Sequence, residues 1–119
     1  MENTEDGKKE RAKKPKGYKL VRDKIPKIIG KNGAKPIIRI ADDDEYVFAL
    51  KHKILEEADE LTRAKGENNE LEEIIDIMEA VNAFIKHKKV SVENAERMRK
   101  YKLRKHGGFD KRQILEGVD

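Results

Sequence analysis

Apolar residues recur at steps of three and four through the middle of the chain. Val47, Leu50, Ile54, Ala58 and Leu61 make one stripe, the spacing of a buried helix face. Asp42-Asp43-Asp44-Glu45 opens that helix, and Asp42 with Glu45 has capping-box spacing. Arg63 and Lys65 complement the dipole at its far end, and Gly66 stops it. Asn68-Asn69 reads as a loop, with Asn69 and Glu72 placed to cap a second helix. That helix carries Leu71, Ile74, Ile75, Ile77, Met78, Val81, Phe84 and Ile85, an arc too wide for one neighbour. A third helix is predicted from near Ser91 to His106, with a weaker stripe of Val92, Ala95, Met98 and Tyr101. Ahead of these, Asp23 stands ready to cap a short helix holding Ile25, Ile28 and Ile29. Pro26 fits its first turn, and Gly30 and Gly33 end it. Pro36 to Ile40 is β-branched and reads as extended. The pattern predicts an all-α helical bundle with a short extended N-terminal segment. Ile77 and Phe84 widen the second helix so far that a second copy of the chain is expected to complete the core.

Length and charge refine this picture. A chain of 119 residues holds one domain. Residues 1–16 lack any large aliphatic or aromatic side chain and read as a flexible basic tail, leaving 17–119 as the folded domain. The net charge of +4 conceals an asymmetry: from Asp42 to Glu79 there are 14 acidic residues against 4 Lys/Arg. An acidic middle between basic ends suits a hard cation beside a phosphate-bearing ligand, although solvated helix faces would give the same totals. Zero Cys excludes disulfides, thiolate metal sites and Cys nucleophiles, and fits a reducing cytoplasm. No apolar run approaches a membrane span, and the N-terminus has no apolar signal core. A basic tail alone is weak support for nucleic-acid binding.

The chemistry-bearing residues lie on the two long helices. Glu57 and Glu60 are three apart, and so are Glu73 and Asp76, so each pair projects from one helix face. With Ile54 at zero, Leu50 falls at about −40°, Glu57 at about −60° and Glu60 at about −120°. Glu57 therefore sits at the edge of the buried stripe. With Ile74 at zero, Glu73 falls at about −100° and Asp76 at about −160°, again flanking the stripe. The twelve residues between Glu60 and Glu73 allow an antiparallel hairpin that brings the pairs together. Carboxylates gathered beside an apolar seam repel one another unless a cation holds them, and Mg²⁺ or Mn²⁺ suits oxygen ligands. Lys53 shares this face and is either an ion-pair partner of Glu57 or a phosphate contact. Glu56 points to the opposite side and is expected to be exposed or to face another chain. His52, His87 and His106 have no zinc spacing, and neither a Gly-rich phosphate loop nor a GxSxG elbow is present.

Three segments resemble a known family. Tyr18-Lys19-Leu20-Val21-Arg22-Asp23-Lys24-Ile25-Pro26 resembles the opening of small MazG-like proteins. Glu56-Glu57 with Glu60, followed by Glu73 and Asp76, is similar to that superfamily's EExxE…ExxD pattern, and Gly107-Gly108-Phe109 to its GGF element. The family comprises all-α nucleoside triphosphate pyrophosphohydrolases. The resemblance implies Mg²⁺-dependent cleavage between the α- and β-phosphates in a homodimer or homotetramer. It implies Glu57, Glu60, Glu73 and Asp76 as metal ligands, with Glu56 and Glu57 as candidates for taking the proton of the attacking water. Lys53, Arg22 and Lys24 are candidates for steadying pyrophosphate, with Arg104 and Lys105 near the third element. His106 stands where that element often has Arg.

Two rivals remain at this level. The phosphoribosyl-ATP step of histidine biosynthesis uses the same metal chemistry on another ligand. A non-catalytic helical module binding protein or nucleic acid through the basic tail would need no metal.

Overall fold

The computed structural model describes residues 19–119, so the expected 1–16 tail and Tyr18 lie outside the described residues. Four helices appear in chain order: α1 (Ile25–Lys31), α2 (Asp43–Arg63), α3 (Glu67–His87) and α4 (Val92–His106). The described residues form no strand, and Pro36 to Ile40 runs as irregular chain. Ile37 and Ile40 are almost fully exposed there, so the β-branched run finds no partner strand.

Local chemistry explains most of the boundaries. The Asp42 side chain accepts from the Glu45 N–H at 2.9 Å and caps α2. Glu45 does not complete a reciprocal box through its carboxylate, which takes the two-pronged guanidinium of Arg39. Ser91 caps α4 by accepting from the Asn94 N–H at 3.0 Å. Two expected caps are not used. α1 begins after Lys24 with no side-chain cap, leaving Asp23 one residue too early, and Gly30 lies inside its last turn. α3 begins at Glu67, so Asn68 and Asn69 are helical and not a loop. Asn69 turns back instead and donates to the Lys65 carbonyl at 2.8 Å. Gly66, at φ 93°, makes the reversal possible by occupying the left-handed region that favours glycine.

The tight α2–α3 turn makes an antiparallel hairpin, and this hairpin is the packed part of the molecule. Leu50 is 2% exposed, and Ala49 and Ala80 accompany it as the buried apolar residues among those described. Val47, Ile54, Ala58 and Leu61 are half-buried, as their stripe requires. Small residues at 49 and 80 let the helices approach closely, and Leu50 fills the seam.

α4 behaves differently. It touches α3 only marginally and α2 not at all. The turn before it places Lys89 at φ 63°. The result is an extended shape of 57 × 33 × 28 Å with a radius of gyration of 17.8 Å, against about 13 Å for a compact 100-residue domain. The third helix expected to join the core therefore does not do so within one chain. No helix among the described residues is long and apolar enough to cross a membrane.

Candidate metal centre and ligand cleft

The hairpin brings together three of the four expected metal ligands. Carboxylate oxygens of Glu57, Glu60 and Glu73 all lie within 4.8 Å of one another. The helix angles explain this: Glu57 and Glu60 leave α2 on the side that faces Glu73 on α3. Glu57 is 8% exposed, a depth at which a carboxylate is rarely found without compensation. Lys53 supplies part of it, its Nζ standing 3.3 Å from Glu57 Oε2.

Glu73 is less well served. Its Oε1 is buried and accepts no hydrogen bond. Burial, first, pushes its carboxyl up to about 7, aided by proton sharing with Glu57 and by the negative charge of Glu60, Glu57 and Asp76. An acceptor oxygen without a donor, among carboxylates crowded enough to retain a proton, fits a divalent cation. Bound there, such a cation would let all three ionise and would give that oxygen a partner.

Asp76 stands apart from the triad because a different cation holds it. The Arg22 guanidinium donates to Asp76 Oδ1 at 2.7 Å across 54 positions of sequence. Both side chains are substantially exposed, so the pair itself is worth about 0–1 kcal/mol. Its importance is positional, since it ties the segment before α1 to the acidic face of α3.

Beneath that segment lies a cleft of about 640 Å³, within the range of small-molecule sites. Leu20, Val21, Ile25, Leu50, Ala80 and Ala83 supply apolar wall. Lys19, Arg22, Lys24 and Lys53 bring four cations to it, and Asp23, Glu57, Asp76 and Glu79 bring four carboxylates. The cleft thus joins an apolar surface to a charged edge that includes Glu57 and Asp76, two of the four expected metal ligands.

Other expectations fare unevenly. Glu56 is not exposed: its side chain is 20% accessible and lies 3.8 Å from Lys53 Nζ. Lys53 reaches between Glu56 and Glu57 and draws Glu56 in. Neither Glu56 nor the Arg104 and Lys105 pair lines the cleft, and the latter two project from the last turn of α4. His87 packs edge-on against Tyr46 at 5.0 Å, while His106 is exposed. Sequence reasoning missed Tyr46 and Glu79, both on the cleft wall. The signal was present: Tyr46, Leu50, Lys53, Glu57 and Glu60 follow at steps of four and three, and Glu79 is three beyond Asp76.

Comparison with known proteins adds one relative. Over 53 residues the chain is 47% identical to an uncharacterized protein of Mycolicibacterium smegmatis. That match covers 44% of this chain and spans about half, 54%, of that protein's length. No family model matches the chain, and no solved structure matches it.

Proposed function

We propose that the chain is a MazG-like, metal-dependent nucleoside triphosphate pyrophosphohydrolase, releasing a monophosphate and pyrophosphate. The observation that carries this reading is the Glu57–Glu60–Glu73 triad, with its orphaned Glu73 oxygen, beside a cleft edged by four cations. The choice of the α–β bond rests on the resemblance of the three sequence elements alone.

Glu57, Glu60 and Glu73 would hold Mg²⁺ or Mn²⁺, and Asp76, now paired with Arg22, would be the fourth ligand. The cation supplies charge neutralisation for the phosphates and acidifies bound water. Arg22, Lys24 and Lys53 line the cleft and offset the charge that develops on the leaving pyrophosphate. Of the two candidates for receiving the proton of the attacking water, Glu57 lines the cleft and Glu56 does not, which favours Glu57. The apolar wall of Leu20, Val21 and Ile25 suits the uncharged part of a nucleotide. Assembly as a homodimer or homotetramer, and a cytoplasmic role in clearing surplus or non-standard nucleotides, complete the reading.

Product analysis tests it. A panel of dNTPs, NTPs and phosphoribosyl-ATP is incubated with Mg²⁺ and with EDTA. Monophosphate plus pyrophosphate, formed only with Mg²⁺, is the expected result. Preference for phosphoribosyl-ATP would move the chain to histidine biosynthesis. Diphosphate plus orthophosphate would overturn the bond assignment, and no turnover would overturn the enzymatic reading.

A further inference from the structure

The outer face of α3 is apolar and open to water. Leu71, Ile74, Ile75 and Met78 follow at steps of three, one and three, and are 47%, 39%, 57% and 57% exposed. They form a stripe of about two turns on the side turned away from the α2 seam. The expected wideners of the arc, Ile77 and Phe84, are half-buried, and Lys88 and Lys51 lie over the Phe84 ring. The open stripe is therefore a separate surface from the hairpin core.

The same chain carries a second open surface of matching character. On α4, Met98 and Tyr101 share one face and are 67% and 56% exposed. The irregular arm after it, residues 107–119, exposes Phe109, Ile114, Leu115 and Val118 by more than four-fifths each. Chain segments with this much exposed apolar surface bury it against something. Within one chain α4 meets α3 only marginally and leaves the stripe exposed.

Charge selects the pairing. Of the six carboxylates on α3, Glu73, Asp76 and Glu79 serve the triad or the cleft, leaving Glu67, Glu70 and Glu72 against one Lys, whereas α4 holds six Lys/Arg and two Glu. A symmetric α3-on-α3 contact sets acidic rim against acidic rim, while α3 against α4 sets opposite charges around an apolar centre. Stable interfaces need about 800 Å² from each partner, more than four stripe residues supply. The apolar residues of the arm extend the contact.

We infer that the α3 stripe is an interface covered by α4 and the 107–119 arm of a second copy of this chain, in a reciprocal exchange. This deepens the assembly part of the functional reading and rests on it, but is independent of hydrolysis. The exchange is isologous, so each copy both offers an arm and receives one. It also carries the basic last turn of α4, with Arg104 and Lys105, onto the acidic hairpin of the other copy.

The absence of cysteine makes the test direct. Full-length Met78→Cys and tagged Met98→Cys are mixed, dissociated and reassociated, then treated with a bis-maleimide. A cross-linked heterodimer is expected, and sedimentation should give a dimer or larger that salt weakens. Ile75→Asn with Met78→Asn should keep its helical signal and sediment as a monomer. A wild-type monomer would overturn both the exchange and the assembly reading. A dimer linked through Met78→Cys to Met78→Cys, with no link to Met98→Cys, would overturn the exchange alone. So would a dimer that survives the double Asn substitution.

Discussion

The two faces of α3 invert the usual placement of residues. Towards α2, beside Leu50 and Ala80, the molecule gathers Glu57, Glu60 and Glu73, one of them 92% removed from water by its 8% exposure. Away from α2 it sets four large apolar side chains in water. Each arrangement costs free energy in an isolated chain: desolvated carboxylates on one side, hydrated hydrocarbon on the other. Their remedies differ in kind. On the inner face Lys53 reaches Glu57 but not the orphaned Glu73 oxygen, which a cation would serve, and on the outer face the apolar side chains lack cover, which a second copy would provide. A single helix thus separates a ligand-binding demand from an assembly demand, and perturbing one face should leave the signature of the other intact.

The largest expected effect breaks the inner face. Glu60→Gln or Asp76→Asn should lower metal-dependent turnover by roughly 100-fold or more. The helical circular dichroism signal should stay unchanged in both. Retained turnover would remove these residues from the site.

Next, Leu50→Ala should destabilise the chain by about 2–5 kcal/mol in denaturant titrations at any protein concentration, because its side chain is 2% exposed. Ile75→Ala on the outer face sharpens the contrast. Its cost should stay within about 0.5 kcal/mol at concentrations where the chain is monomeric and grow where it is assembled.

A smaller effect appears with pH. Glu73 sits near 7 when folded, above the ordinary 4.5. Between those values the folded chain without metal keeps a proton that the unfolded chain has lost. Its stability contribution therefore falls as pH rises from about 4.5 to 7 and is level above that. Melting temperatures across this range should show the decline in the metal-free protein, and Glu73→Gln should flatten it. A slope that persists in Glu73→Gln would assign it to another group.

The smallest effect concerns Arg22. Arg22→Ala should tighten Mn²⁺ binding a few-fold in calorimetry without nucleotide, since Asp76 no longer has a guanidinium to displace. The same variant should weaken pyrophosphate binding. Weakening of both would mean that Arg22 only supports the fold.

Much of the inner face was legible in the sequence. The i, i+3 carboxylate pairs, the length between them and the stripe geometry together dictate a hairpin with Glu57, Glu60 and Glu73 at its seam. The Asp42 cap and a helix start near Ser91 were equally plain. Features that depend on tertiary geometry were not. Arg22 meets Asp76 across 54 positions, a pairing no local period encodes. Glu56 looks solvent-facing on a helical wheel, yet Lys53 draws it inwards because a long flexible amine can serve two carboxylates at once. The detachment of α4 was hidden because its weak stripe reads the same whether it covers its own hairpin or another copy's. The α3 start was misplaced because two Asn residues resemble a loop, although the three residues from Ala64 to Gly66 make the turn.

The account stands most directly on cation binding at the inner seam. Isothermal titration of the full chain with Mn²⁺, without nucleotide, compares wild type with Glu57→Gln and Glu73→Gln. The account predicts saturable binding in the wild type, with proton release near pH 6, and its loss in both variants. No binding by the wild type, or equal binding by the variants, would contradict it.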